Sequence, residues 1–147
     1  MLIDREDRRS QLRTFKECIN WLKSGVSIMA FPEGMRSPDG RLIEFKGGSF
    51  SMASKTGSII VPITMTNTHA VMPMNAIFPV QSGAGKLEVI IHPPINPEGK
   101  TEDELTTLVR NSIISRLPPD QVPLSTEHDK EISSITSLQK EKAVIAG

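Results

Sequence analysis

The chain has 147 residues, enough for one domain with a real core and short for two. Seventeen basic and seventeen acidic side chains balance, so overall charge gives no pull toward nucleic acid, and none is expected as a partner. Cys18 is the single cysteine, which excludes an intrachain disulfide, fits a reduced compartment and leaves structural zinc without thiolate partners. No run approaches the roughly 20 apolar residues of a membrane span.

Leu2 and Ile3 read as the end of a strand. From Arg8 to Lys23 the apolar residues Leu12, Phe15, Ile19 and Leu22 recur at threes and fours, which predicts an amphipathic helix closed by Gly25. Val26 to Phe31 (VSIMAF) is a short apolar run expected to form a buried strand, stopped by Pro32, whose ring fixes φ and removes an amide. PEGMRSPDGRL then reads as an exposed loop with Pro-Asp-Gly at its centre.

Gly47 to Lys55 has a helix-compatible order with Gly57 as its C-cap. Ser58 to Thr64 (SIIVPIT) predicts a second strand, in which Pro62 calls for an edge, a bulge or a strand end. Lys86 to Ile91 predicts a third, ended by His92-Pro93-Pro94. Thr101 followed by Glu104 is a capping box opening a helix with Leu105, Leu108, Val109 and Ile113 along one side, stopped by Pro118 and Pro119. Residues 1–117 are expected to form one α/β layered unit, with a mostly parallel or mixed sheet covered by helices. Residues 118–147 are polar and serine-rich and read as a tail, disordered or weakly helical around Ser134 to Ala143.

Two segments carry candidate chemistry. The loop after the VSIMAF run presents Glu33, Gly34, Arg36 and Ser37, where α/β sheets commonly hold ligands. An arginine fork and a hydroxyl suit a phosphate, and Gly34 allows a backbone course closed to other residues. The competing reading is a solvated Glu33–Arg36 pair. Phe45-Lys46-Gly47-Gly48 places a cation and flexible amides before a helix start, which favours an anion; a tightly packed glycine pair with an exposed lysine is the alternative. Nucleotide-loop signatures are absent, as is the G-x-S-x-G nucleophile elbow around Ser49. His69, His92 and His128 do not cluster and each reads as a turn, cap or surface histidine. No ligand spacing suggests a metal.

The ordered set Leu2-Ile3-Asp4-Arg5, Phe31-Pro32-Glu33-Gly34-Met35-Arg36-Ser37, Phe45-Lys46-Gly47-Gly48 and Val61-Pro62-Ile63 resembles three of the four sequence blocks of the PlsC-type glycerophospholipid acyltransferases, plastid and bacterial lysophosphatidate acyltransferases above all. Met35 stands where that family's block has threonine. The resemblance implies a glycerol-3-phosphate acyltransferase-like fold and transfer of an acyl group from acyl-CoA or acyl carrier protein to the sn-2 hydroxyl of 1-acylglycerol-3-phosphate, with no other cofactor. It implies that Arg5, Arg36 and Lys46 hold the substrate phosphate, that Glu33, Gly34, Ser37 and Gly48 shape the site, and that Pro32 and Pro62 are structural. The family's first block, H-x-x-x-x-D, supplies a general-base histidine held by its aspartate. Nothing here matches it, so the domain is expected to be N-terminally incomplete, with that block upstream of residue 1. Association with a membrane face, of a plastid, the endoplasmic reticulum or a bacterial inner membrane, is implied through that same missing part. The alternative is a lysophospholipid-binding or regulatory protein without catalysis.

Overall fold

The computed structural model describes residues 8–72 and 87–124. The expected strand at Leu2 and Ile3, the residue Arg5, and the tail beyond residue 124 lie outside the described residues. Helix α1 spans Arg8–Lys23, as its periodicity predicts, and turns out through Gly25 at φ 82°. Helix α2 spans Gly48–Thr56 and ends on Gly57 in the left-handed conformation, with the Gly57 amide on the Ala53 carbonyl. The Lys55 ammonium lies 5.2 Å from the Phe15 ring centroid, a cation–π contact tying α2 to α1.

Strand β1 is Ile63–Met65, helix α3 is Thr68–Val71, strand β2 is Val89–Ile91 and helix α4 is Glu102–Ile114. The capping box is formed as expected: Thr101 Oγ1 accepts from the Glu104 amide, and the Glu104 carboxylate accepts from the Thr101 amide at 2.7 Å. Leu105, Val109 and Ile113, four residues apart, turn one stripe of α4 inward against Phe45 and Phe50. The two phenylalanine rings stack with centroids 6.1 Å apart. Leu42, Ile60, Ile95 and Leu117 complete this core from its margins.

The sheet overturns the expectation of a mostly parallel or mixed arrangement. Among the described residues it has two strands, β1 and β2, paired antiparallel with Ile63 opposite Ile91 and Met65 opposite Val89. An antiparallel bridge between Ile60 and Ile95 continues the pairing past Pro62, whose missing amide interrupts the ladder while its carbonyl accepts from His92. The VSIMAF run forms no strand. Among the described residues its backbone bonds lie in turns at its two ends, Val26 N–H to Trp21 and Gly34 N–H to Phe31, and Met29 and Phe31 are 68% and 69% exposed. An apolar run signals residues suited to burial, but a strand exists only where a neighbouring backbone completes its ladder.

Beyond α4 the chain folds back over the core. Gln121 is 3% exposed; its carbonyl accepts from the Leu42 amide, and its side-chain amide exchanges two hydrogen bonds with Asn67. Asn67 sits at φ 57°, and the bonds to Gln121 hold it in that left-handed turn ahead of α3.

Candidate functional site

The two segments singled out for anion binding meet. The Lys46 amide donates to the Pro32 carbonyl at 2.8 Å, which joins the 32–37 loop to the 45–48 segment. Gly34, at φ 71°, allows the loop to pass under the Lys46 side chain. A β-carbon there would stand 3.0 Å from Lys46 Cδ and Cε and 3.1 Å from Nζ. The backbone conformation is what favours glycine here, and a side chain would in addition press on the lysine laid across it, whose flexible end would have to shift.

Glu33 does not face a loop arginine as an exposed pair would. Its carboxylate turns inward and accepts from the Ile43 amide at 3.0 Å, with Arg110 of α4 nearby. Burial pushes the Glu33 carboxyl above the ordinary value of 4.5; the Ile43 amide and the Arg110 charge oppose that rise. An acid held above its unfolded value binds more protons folded than unfolded, so this group costs stability as pH climbs past 4.5. Glu33→Gln is accordingly expected to raise the denaturation midpoint at pH 7, with the gain vanishing below pH 4.5, in parallel melts of both proteins; a gain of equal size at both pH values would exclude this cause.

Ser37 caps a small turn. Its hydroxyl donates to Asp39 at 2.9 Å, and the Asp39 carboxylate also accepts the Arg41 amide, which together hold that carboxyl below its usual range, the amide foremost. Arg41 reaches across to the Val122 carbonyl at 2.8 Å and so anchors the loop to the segment after α4. Arg36 is exposed on this loop, two residues beyond Gly34. Gly48 opens α2 two residues after Lys46, with open space where its side chain would be.

Two histidines prove more enclosed than their sequence context predicts. His92 is buried, its Nε2 2.7 Å from Thr64 Oγ1, and that hydroxyl donates to the Ile113 carbonyl. His69, on α3, lays its ring against Gly40, and its Nδ1 is buried with no hydrogen-bond partner. Neither has a sequence signal, because both positions are created by packing between distant segments.

An open apolar cleft of about 850 Å³ adjoins this site, lined by Ile28, Phe31, Pro32, Ile59, Val61 and Ile63 among others. Glu33 and Ser49 lie at its lining, and the Ser49 hydroxyl is buried without a partner. A cleft of this character accepts an aliphatic chain, while the loops beside it offer cations and backbone amides.

The family described as Acyltransferase matches residues 1–66. The chain is 38% identical over 127 residues to a 1-acyl-sn-glycerol-3-phosphate acyltransferase of Chlamydomonas reinhardtii, covering 86% of this chain and 37% of that protein. It is 43% identical over 111 residues to a chloroplastic 1-acyl-sn-glycerol-3-phosphate acyltransferase of Arabidopsis thaliana, covering 76% of this chain and 30% of that one. It thus spans well under half the length of either relative. Among solved structures, the 1-acyl-sn-glycerophosphate acyltransferase of Thermotoga maritima superposes with a TM-score of 0.61 at 36% identity, over 69% of this chain and 41% of that one.

Proposed function

The chain belongs to the PlsC-type 1-acyl-sn-glycerol-3-phosphate acyltransferases, and from that premise we propose that it forms the acceptor-phosphate site in transfer of an acyl group to 1-acylglycerol-3-phosphate. The observation that carries this reading is the Lys46 side chain laid across Gly34, which brings the cationic segment onto the loop that bears Arg36. Arg36 supplies a planar donor fork and Lys46 a point charge to the phosphate, and the amides that open α2 at Gly48 add their dipoles. Ser37, through Asp39, shapes the loop, and Glu33 fixes its depth by holding the Ile43 amide. Arg5 belongs to the same set through the family pattern, as does the role of Pro32 and Pro62 in ending their apolar runs. The acyl chain of an acyl-CoA or acyl carrier protein donor, or of the acceptor, lies in the cleft beside Phe31. Residues 1–117 carry this work as part of an acyltransferase domain.

His69 and His92 are engaged in packing, and neither is assigned as the general base. No helix among the described residues is long and apolar enough to cross a membrane. Since both lipids in the proposed reaction partition into bilayers, the proposed reaction takes place at a membrane face, of a plastid, the endoplasmic reticulum or a bacterial inner membrane.

Calorimetric titration with 1-octanoylglycerol 3-phosphate, against the matching phosphocholine lipid, tests the reading. The phosphate monoester is expected to bind preferentially, and Arg36→Ala to weaken it by about 10–100-fold, the worth of a charge-assisted bidentate contact. Equal affinity for the two lipids, or no change on Arg36→Ala, would refute a phosphate site here.

A further inference from the structure

Arg110 lies on α4, 67 residues along the chain from the segment it touches, and outside every motif read from the sequence. Its Nη1 donates to the Ile43 carbonyl at 2.8 Å, and its guanidinium carbon is 5.4 Å from the Phe45 ring centroid. The peptide groups of residue 43 are thus gripped on both sides: the N–H by Glu33, the C=O by Arg110. Three residues on, the Lys46 amide is bound to Pro32.

These bonds differ in what they tie together. Glu33 and Pro32 fasten the 43–46 segment to the loop beside it, and Phe45 seats that segment against Leu105, Val109 and Ile113 of α4 through apolar contacts that set no direction. Arg110 adds a directional hydrogen bond from α4 to the backbone of residue 43. An arginine suits the task because one planar group donates to a carbonyl and lies over an aromatic ring at once, and a lysine ammonium has no such plane. Its charge also faces Glu33 and offsets part of the cost of burying that carboxylate.

We propose that Arg110 is a positioning residue of the anion site, setting from α4 the alignment of Lys46 with the loop of Gly34 and Arg36. The assignment rests on the phosphate reading given above.

The test is titration with 1-octanoylglycerol 3-phosphate, below its micellar concentration and well below each protein's unfolding midpoint. Arg110→Met is expected to weaken binding about tenfold, the loss of one charge-assisted hydrogen bond, and Arg110→Lys about threefold. Leu105→Ala, which damages the core on the same helix, is expected to lower stability and leave affinity unchanged. Wild-type affinity in Arg110→Met while Arg36→Ala abolishes binding would overturn the positioning role and leave the phosphate site standing. Equal losses in Leu105→Ala and Arg110→Met would overturn it too, since general loosening would then account for both. No binding by the wild type, or none lost in Arg36→Ala, would bring down the phosphate site and this role with it. If Arg110→Met does not fold, Arg110→Lys decides: a threefold loss supports the role and unchanged affinity overturns it.

Discussion

Leu105→Ala is expected to destabilise the protein by about 3 kcal/mol, within the roughly 2–5 kcal/mol range of leucine truncations in cores. Leu105 is fully buried, at 0% exposure, and packs within the cluster of Phe45, Phe50, Val109 and Ile113. The cluster is small, so its neighbours cannot collapse far to fill the space left behind. A loss of this size is a large share of the margin typical for a domain, about 5–15 kcal/mol. Leu108, on the next residue face of α4 and 41% exposed, supplies the control: Leu108→Ala is expected to cost under about 1 kcal/mol. Urea unfolding of both variants checks the difference, and similar midpoints would mean that α4 is not seated through Leu105. Because α4 also bears Arg110, Leu105→Ala is expected to lower affinity for the phosphate lipid only as the protein approaches its midpoint.

Gly40→Ala is expected to cost about 2–4 kcal/mol, from two sources that can be separated. At φ 80° the backbone is in the left-handed region, where an L side chain is disfavoured by about 1–2 kcal/mol. The added β-carbon would also stand 2.5 Å from Cγ of His69, and 2.6 and 2.7 Å from Nδ1 and Cδ2. That contact involves the root of the ring, which cannot swing aside as a lysine tip can. Adding Gly40→Ala to a His69→Ala background is therefore expected to cost only the backbone part, leaving about 1–2 kcal/mol of coupling between the sites. Urea unfolding of the four proteins of this cycle measures it, and additive costs would show that His69 does not confine the loop. Since the same loop carries Ser37 and Arg36, the single variant is also the more damaging one for binding.

Much of the molecule was open to sequence reasoning because its signals are local. The bounds of α1, the Gly57 cap of α2 and the Thr101–Glu104 box follow from side-chain spacing and cap chemistry within a few residues, which no distant contact reversed. The family was legible for a related reason: an ordered set of short motifs, Phe31 to Ser37 at its centre, identifies it without coordinates.

What failed were statements about partners in space. VSIMAF has the composition of a buried strand, yet pairing depends on which backbone lies alongside, and the ladder that forms is the antiparallel one between Ile63–Met65 and Val89–Ile91. Glu33 and Arg36, three residues apart in a loop, suggest an ion pair, whereas Glu33 turns to the Ile43 amide ten residues away. The burial of His92 on Thr64, of His69 on Gly40 and of Gln121 on Asn67 likewise had no local signature.

The amino-acid sequence by itself determined the helices, their caps, the motif set and hence the family, because each depends on chemistry within one or two turns of chain. The tertiary structure alone decided the direction of the sheet, the crossing of Lys46 over Gly34, and the grip of Arg110 on residue 43. Those depend on segments up to 67 residues apart brought together by burial of the Leu105 cluster, a long-range consequence that no local pattern encodes.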